Sequence, residues 1–253
     1  MSSKLDVCLV ESGIIGSDIN QNLENIYNKL KNLKNIDLIV LPETFDTGFN
    51  FPPKNIYDFK NNPSILWMKK LAREKQCAIC GSLMVKENDN IFNRFIFYDN
   101  AKDIIHTYDK LHLFSIANED KHITSGTEIK SFKYKDWKVC PQICYDLRFP
   151  VLAKEDVFDI IVYVANWPIQ RINAWDLLLP ARAIENQSFV IGVNRNGYDD
   201  ENNINYPGHS RLISFTGNDL HNQSNENDYL VFQIDLNNLK KYRLKYPFLE
   251  DRR

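Results

Sequence analysis

The stretch DIIVYV, residues Asp159–Val164, is almost continuously apolar, which is typical of a strand that is buried on both faces of a sheet. The segment that follows it, Arg171–Asn186, has a helical pattern, and Pro180 within it is expected to kink or restart the helix. Upstream, Asp37–Leu41 (DLIVL) is a second strand of the same buried type. Buried strands that alternate with helices predict an α/β fold.

The rest of the chain continues this alternation without an internal repeat or a Gly/Ser linker, so we expect one domain that spans residues 1–253. About a dozen strands would exceed a comfortable single open sheet, and two packed sheets flanked by helices fit better. The Asn-rich segment Asp199–Asn205 is predicted to be disordered. Helices are predicted at Asn20–Leu33 and Ile65–Glu74, and a last helix-like stretch follows the final strand. Further strands are predicted at Asp6–Val10, Ala78–Val85, Ile91–Tyr98, Asp103–Tyr108, Trp137–Ile143, Phe189–Asn194, Ser210–Phe215 and Asp228–Ile234.

The composition excludes several classes of protein. With 43% hydrophobic and 25% charged residues, and only 9 Gly and 10 Pro, the chain is neither collagenous nor a Gly/Pro-rich disordered protein. A formal net charge of -2 does not suggest a nucleic-acid surface. No apolar run approaches the roughly 20 residues that cross a bilayer, and the N-terminus lacks the hydrophobic region of a signal peptide. We therefore expect a cytoplasmic protein without nucleic-acid or membrane partners.

The 5 cysteines are an odd number, which argues for free thiols rather than a disulfide framework. Cys77 and Cys80, together with Cys140 and Cys144, form one conceivable four-thiolate zinc site. Such sites need each pair of thiols on a tight turn. Here the first pair runs into an apolar strand, and Pro141 lies between the second pair within another predicted strand. We therefore expect neither a zinc site nor a redox dithiol.

Three segments place a reactive side chain at or just after the end of a predicted strand, where α/β folds build their sites. Glu43 stands in LPETF, after the strand Asp37–Leu41. Lys110 and His112 stand in YDKLHLF, and alternation would put both on one face if the preceding strand continues. Cys144 opens CYDLRFP at a strand-to-helix turn, where backbone N–H groups can hold an oxyanion. Taken alone, each segment also has an ordinary interpretation: a solvated carboxylate, an exposed lysine, or a small buried thiol.

Together, a thiol, a carboxylate and an ammonium are the groups needed to hydrolyse an amide through a thioester. The three motifs, in this order, resemble those of the nitrilase superfamily of carbon–nitrogen hydrolases. The resemblance runs over nearly the whole chain, through YVANWP, ARAIENQ and GHSRLI. It implies an α-β-β-α four-layer sandwich of two mixed sheets flanked by helices. It also implies a homodimer that associates through one helical layer, with no metal or organic cofactor.

By this resemblance Glu43 is the general base, Lys110 stabilises the oxyanion and Cys144 is the nucleophile. The family has a second Glu upstream of a Gly in the loop between the Lys and Cys motifs. Glu119 stands in that relation to Gly126 in NEDKHITSG, whereas the competing Glu128 lies on the other side of that Gly. The resemblance therefore favours Glu119 as the fourth catalytic residue.

CYDLRFP and YVANWP look most like the omega-amidase branch, which acts on the side-chain amide of 2-oxoglutaramate or 2-oxosuccinamate. Arg148 lies four residues after the nucleophile, where its guanidinium can fork onto the far carboxylate of such a substrate. The alternative is a structural ion pair with Asp146. Trp167 is expected either to form an apolar wall of the site or to be plain core packing, and Tyr145 is a third candidate for substrate contact.

Other functions remain open on the sequence alone. A different carbon–nitrogen hydrolase activity would act on an N-carbamoyl amino acid or an aliphatic amide. A catalytically silent nitrilase-like binding subunit is the second alternative. The presence of Glu43, Lys110 and Cys144 argues against a silent protein.

Overall fold

The computed structural model describes residues 3–150, 157–224 and 229–252 of the chain. The predicted strands and helices recur with small shifts at their ends, and Asp228, where the last predicted strand begins, lies outside the described residues. The α-helices are α1 Ile19–Leu30, α2 Pro63–Lys75, α3 Ile172–Asn186 and α4 Leu236–Lys245. The strands are β1 Lys4–Leu9, β2 Leu38–Val40, β3 Tyr57–Asp58, β4 Ala78–Glu87, β5 Asn90–Asp99, β6 Ile104–Asp109, β7 Phe132–Tyr134, β8 Trp137–Ile143, β9 Ile160–Ala165, β10 Phe189–Asn194, β11 Asn196–Asp199, β12 Ile204–Pro207, β13 Arg211–Ile213 and β14 Leu230–Asp235.

The two large sheets are both mixed. The first has the strand order β14-β1-β2-β4-β5-β6, with β3 beside β4, and the second has the order β13-β10-β9-β8-β7. In the first sheet β1, β2 and β4 are parallel, with Val7 opposite Leu38, and β14, β5 and β6 run antiparallel to their neighbours. In the second sheet β8, β9 and β10 are parallel, with Val139 opposite Ile160. The prediction of an α/β fold with two mixed sheets is confirmed.

Three apolar cores hold these layers together. The central core lies between the two sheets, where Val40 of the first and Val162 of the second are fully buried. Helices α1 and α2 cover the outer face of the first sheet, where Met68 is fully buried, and α3 covers the outer face of the second. Gly192 lets α3 approach β10 closely, because a Cβ there would lie 2.5 Å from Leu179 Cδ1. The order of layers is therefore α-β-β-α, as the resemblance implies.

Side chains cap the N-termini of α1, α2 and α4, whereas α3 has no side-chain cap and runs through a proline. The Asp18 side chain caps α1 and the Asn62 side chain caps α2. α3 continues past Pro180 without restarting, because the carbonyl of Asp176 that the proline cannot pair accepts a hydrogen bond from Arg211 Nη1 at 2.9 Å. The expected restart at this proline is therefore wrong. Among the described residues, no helix is both long and apolar enough to span a membrane.

The Asn-rich segment Asp199–Asn205 is part of an ordered hairpin formed by β11 and β12. The strands pair antiparallel, with Asp199 opposite Ile204. Asp199 Oδ1 accepts a hydrogen bond from the backbone N–H of Asn202 at 3.1 Å, and Asp199 Oδ2 lies 3.4 Å from the guanidinium of the buried Arg195. The prediction of disorder is wrong, because strand pairing, these local contacts and a hydrogen bond from Asn202 Nδ2 to Asn50 Oδ1 at 2.6 Å order a segment that has no apolar pattern.

Candidate active site

Glu43, Lys110 and Cys144 meet between the ends of the two sheets. They follow β2, β6 and β8 respectively, and the first two side chains are fully buried. Lys110 Nζ donates a hydrogen bond to Glu43 Oε1 at 2.9 Å. The Cys144 thiol lies 3.9 Å from the carbonyl oxygen of Asn166, and the Glu43 carboxylate is close enough to raise the pKa of the thiol. The three groups that the sequence singles out therefore share one site.

Glu119, and not Glu128, joins this cluster. Lys110 Nζ donates to Glu119 Oε1 at 3.0 Å and to Oε2 at 2.9 Å, and the N–H of Phe114 donates to Oε2 at 2.6 Å. Glu128 is exposed and lies 3.7 Å from Lys130. The sequence relation to a following glycine thus identified the carboxylate that contacts Lys110.

Two opposing effects set the pKa values of Lys110 and Glu119: burial disfavours the charged form of each side chain, and the opposite charge beside it favours that form. Burial lowers the pKa of Lys110, but Glu119 and Glu43 together outweigh it, so that pKa lies above its usual range. Burial raises the pKa of Glu119, although Lys110 opposes this. The ammonium of Lys110 is therefore permanently charged and fixed in position beside Cys144.

Cys144 sits on a tight turn that Asp146 fixes from inside. Cys144 has a positive φ of 46° and opens a 3-10 helix that ends at Arg148. Asp146 accepts hydrogen bonds from the N–H of Ile143 at 2.9 Å and the N–H of His112 at 3.0 Å. The Tyr108 hydroxyl donates to Asp146 Oδ2 at 2.8 Å, and His112 Nδ1 lies 2.8 Å from Oδ1. This carboxylate therefore joins the Cys144 turn to the loop of Lys110, and it is not the partner of Arg148.

The thiol rests in its protonated form. Burial raises the pKa of Cys144 well above its ordinary value, Glu43 raises it further, and Lys110 only partly opposes the rise. Since the thiolate is the nucleophilic species, a base must take the proton as the sulfur reacts. Glu43 is the carboxylate placed to do so.

Two asparagines that sequence reasoning did not single out orient Glu43. Asn166 donates to Glu43 Oε2 from its backbone N–H at 2.9 Å, and to the Glu43 carbonyl from Nδ2 at 2.9 Å. Asn93 Nδ2 donates to Glu43 Oε1 at 2.8 Å. The available signals were a polar residue inside the strand β5, Asn93, and a polar residue directly after the apolar strand β9, Asn166.

A cavity of about 220 Å³ opens onto Cys144. Arg148, Trp167 and Tyr145, the three predicted substrate contacts, all line it. The guanidinium of Arg148 lies 5.2 Å above the Trp167 ring and makes no ion pair with any described residue. Trp167 is both buried and part of the cavity wall. It therefore packs in the core and also forms an apolar wall of the site, the two alternatives that the sequence predicts for it. The other lining residues are Phe49, Phe51, Phe114, Ala117, Asn166, Pro168, Arg171, Asn202, Ile204 and Tyr206.

The remaining cysteines are separated by the layers of the fold. Cys77 lies in the core beneath α1 and α2, Cys80 lies in the core between the sheets, and Cys140 lies in the core beneath α3. Burial raises the pKa of Cys77 to about 12, which leaves it a poor metal ligand. The conceivable zinc site therefore has no common centre in this fold. In the described ranges, no group of three or more His, Cys, Asp or Glu is arranged to hold a metal ion.

The chain is similar to known amide-hydrolysing proteins over most of its length. The sequence model described as carbon-nitrogen hydrolase matches residues 12–244. The omega-amidase YafV of Yersinia enterocolitica is 34% identical over 258 residues, covering 98% of this chain and 97% of that protein. The 2-oxoglutaramate amidase of Bacillus subtilis is 32% identical over 226 residues, covering 87% of this chain and 86% of that protein.

Solved structures show the same architecture. The crystal structure of XC1258 from Xanthomonas campestris, a CN-hydrolase superfamily protein with an arsenic adduct in its active site, superposes with a TM-score of 0.91. It is 33% identical, and the match covers 98% of this chain and 97% of that one. Saccharomyces cerevisiae Nit3 superposes with a TM-score of 0.83 at 22% identity, covering 99% of this chain and 97% of that one, which supports the fold alone.

Proposed function

Because the chain belongs to the carbon-nitrogen hydrolase family, we propose that it releases ammonia from the ω-amide of 2-oxoglutaramate or 2-oxosuccinamate through a thioester on Cys144. The enzyme is an amidohydrolase by family and by similarity to its relatives. The thioester and the identity of the substrate are the parts that we propose.

One observation carries the proposal: the buried ammonium of Lys110 bridges the carboxylates of Glu43 and Glu119 beside a thiol that faces a cavity. A buried cation paired in this way costs little reorganisation when negative charge develops next to it. The neighbouring thiol supplies the nucleophile, and Glu43 supplies the base. This combination suits acyl transfer from an amide.

In the first half-reaction Glu43 accepts the thiol proton while the sulfur of Cys144 attacks the amide carbon. Negative charge then develops on the former carbonyl oxygen, and we assign its stabilisation to Lys110. Glu43 next gives its proton to the amide nitrogen, which leaves as ammonia when the C–N bond breaks. Glu119 serves this step indirectly, because it holds the Lys110 ammonium in position.

In the second half-reaction a water molecule takes the place of ammonia. Glu43 accepts a proton from this water, whose oxygen attacks the thioester carbon. The C–S bond then breaks, the carboxylic acid leaves, and the sulfur recovers its proton from Glu43. Asn93 and Asn166 hold the two oxygens of Glu43 in one orientation throughout, which both proton transfers need.

For substrate recognition we assign the far carboxylate to Arg148 and the apolar walls to Trp167 and Tyr145. Arg148 stacks on Trp167, so its N–H edge remains available for a bidentate contact. Tyr145 packs edge-on against Phe114 with ring centroids 5.0 Å apart, which fixes the opposite wall. A cavity of about 220 Å³ suits a small dicarboxylic monoamide.

The test is ammonia release from a panel of 2-oxoglutaramate, 2-oxosuccinamate, glutamine, an N-carbamoyl amino acid and a simple nitrile. We expect one of the two 2-oxo acid amides to give the highest kcat/KM. A preference for the N-carbamoyl amino acid or the nitrile would overturn the substrate assignment. Absence of ammonia from every member would favour a catalytically silent protein.

We also retain the homodimer and the cytoplasmic location as proposals. Support for the location is the set of five cysteines, of which none forms a disulfide in the described part of the chain. Support for the dimer is the set of exposed apolar side chains on α3 and the C-terminal segment, which includes Leu177 and Leu244.

A further inference from the structure

Arg171 shares the cavity with Arg148 and was not singled out by the sequence. Apart from the Glu43, Lys110 and Glu119 cluster beside Cys144, these two are the charged side chains of the described residues at the cavity, and no carboxylate is among its lining side chains. Neither guanidinium makes an ion pair with a described residue. Since an arginine at such a site usually finds an anionic partner, the cavity carries positive charge that suits an anionic ligand.

Both guanidinium groups rest on aromatic rings that are tied to the catalytic groups. Arg148 lies over Trp167, which directly follows Asn166, and the N–H of Asn166 donates to Glu43. Arg171 lies 4.9 Å above the ring of Phe114, whose backbone N–H donates to Glu119. Cation–π stacking limits the motion of each guanidinium and leaves its edge free.

The rings of Trp167 and Phe114, on which the two guanidinium groups stack, are also held in place by neighbouring contacts. The indole Nε1 of Trp167 donates to the carbonyl of Arg171 at 2.8 Å. On the other wall the ring of Phe114 contacts Tyr145, the residue after Cys144. The positions of both guanidinium groups relative to the sulfur are therefore set by short chains of contacts.

We propose that Arg171 is a second specificity-determining residue, which binds the 2-oxo oxygen while Arg148 binds the carboxylate. This inference rests on the proposed function. A 2-oxo acid carries its carboxylate and its ketone oxygen on adjacent carbons, and both groups only accept hydrogen bonds. A guanidinium only donates, so two of them match this end of the substrate.

The same arrangement excludes the corresponding amino acid amide. Glutamine carries an ammonium group where 2-oxoglutaramate carries the ketone oxygen. That ammonium would face a cation across the cavity, and the acceptors that the described lining side chains offer it are amide and hydroxyl oxygens. Arg171 therefore separates 2-oxo acid amides from amino acid amides by charge.

The experiment measures kcat/KM for three amides that differ at one carbon: 2-oxoglutaramate, glutaramate with a methylene in place of the ketone, and glutamine. The variants are Arg171→Met, Arg148→Met and, as a control, Arg73→Met, an exposed arginine on α2. Thermal unfolding followed by circular dichroism verifies that each variant folds.

We expect Arg171→Met to lower kcat/KM for 2-oxoglutaramate by about 10- to 100-fold, mostly through KM, as the loss of a hydrogen bond to a charged donor predicts. Arg171→Met should leave kcat/KM for glutaramate unchanged. It should also reduce the ratio of kcat/KM for 2-oxoglutaramate to that for glutamine. Arg148→Met should lower kcat/KM for both 2-oxoglutaramate and glutaramate. Arg73→Met should leave both values unchanged.

The outcomes separate this inference from the proposed function. If the wild-type enzyme hydrolyses 2-oxoglutaramate but Arg171→Met affects 2-oxoglutaramate and glutaramate equally, or affects neither, the role of Arg171 is overturned and the proposed function stands. If the wild-type enzyme hydrolyses none of these amides, both fail.

Discussion

Lys110 is a fully buried ammonium group, and it stays charged because Glu43 and Glu119 face it. Burial raises the pKa of the neighbouring Cys144 thiol, Glu43 raises it further, and Lys110 opposes the rise only in part. The thiol of the resting protein is therefore protonated.

Replacing the sulfur tests this arrangement most directly. Cys144→Ala should leave a folded protein whose amidase activity falls by at least about 1,000-fold, since no other described nucleophile faces the cavity. Steady-state ammonia release measures the loss. Cys77→Ala, which removes a thiol from a core outside the cavity, should keep the activity. Substantial turnover by Cys144→Ala would refute the nucleophile assignment.

Asp46, three residues after Glu43, is a buried carboxyl without a described cationic partner. Burial raises its pKa from 3.8 to about 6, against hydrogen bonds that include one of 2.6 Å from the Ser64 hydroxyl. A raised folded-state pKa means that the folded protein holds this proton more tightly than the unfolded chain. Its contribution to stability is complete below pH 3.8 and is lost as the pH rises through about 6.

Asp46→Asn should therefore stabilise the protein at pH 8, by up to about 3 kcal/mol, and have little effect at pH 4. Urea unfolding at both pH values measures the free energy of unfolding. Asp120→Asn, a change at an exposed position, is the matched control. A gain at pH 8 that is no larger than the gain at pH 4 would contradict the raised pKa of Asp46.

At the scale of elements, the sequence predicted the strands that are buried and missed those that are not. β8 and β10 match their predicted bounds, and almost all of their residues are buried. β11 and β12 have exposed, polar residues and no apolar period. Their pairing depends on Arg195, which reaches the hairpin from the end of β10.

The candidate active site divides in the same way. Glu43, Lys110 and Cys144 could be predicted because each stands in a local motif. Their supporting contacts could not be, since Asn93 is 50 positions and Asn166 is 123 positions from Glu43. Such pairs exist only once the sheets have packed, and no local pattern encodes them.

Gly126 couples the loop of Glu119 to the end of β6. Its N–H donates to the carbonyl of Lys110 at 2.8 Å, and a Cβ at this position would lie 2.2 Å from the carbonyl oxygen of Asp109. Backbone atoms cannot rotate away as a side chain can, so the loop must shift. That shift would move Lys110 relative to Glu119.

Gly126→Ala should lower the free energy of unfolding by about 2 kcal/mol and kcat by about 10- to 100-fold. Gly13→Ala is the matched control, because its Cβ would meet nothing closer than 3.7 Å. Chemical unfolding and steady-state kinetics measure the two effects. Equal behaviour of the two variants would show that the loop tolerates the added methyl group.

At the scale of the whole molecule, the site spans the interface between the two sheets. Glu43 and Lys110 follow strands of the first sheet, whereas Cys144 and Asn166 follow strands of the second. The central core between the sheets therefore sets the distance from the base to the nucleophile. A sandwich can assemble a catalytic set in this way without placing any two members on one element.

The outer face of α3 and the C-terminal segment next to it leave an exposed apolar surface. The two are joined where Gln187 Nε2 donates to the carbonyl of Tyr246 at 2.9 Å. Contiguous exposed apolar residues of this kind mark association surfaces. The exposed fractions are 73% for Leu177, 57% for Ile184, 84% for Leu244 and 60% for Phe248.

If this surface is the dimer interface, Leu177→Glu combined with Ile184→Glu should convert a dimer into a monomer, because paired chains would bury four unpaired carboxylates. Sedimentation velocity over a range of concentrations measures the mass, with the wild-type protein expected at twice the mass of one chain. Leu66→Glu on α2 in the opposite helical layer, 60% exposed in the wild type, is the matched control and should stay dimeric. A wild-type protein that sediments as a monomer, or a double variant that remains dimeric, would refute association through this face.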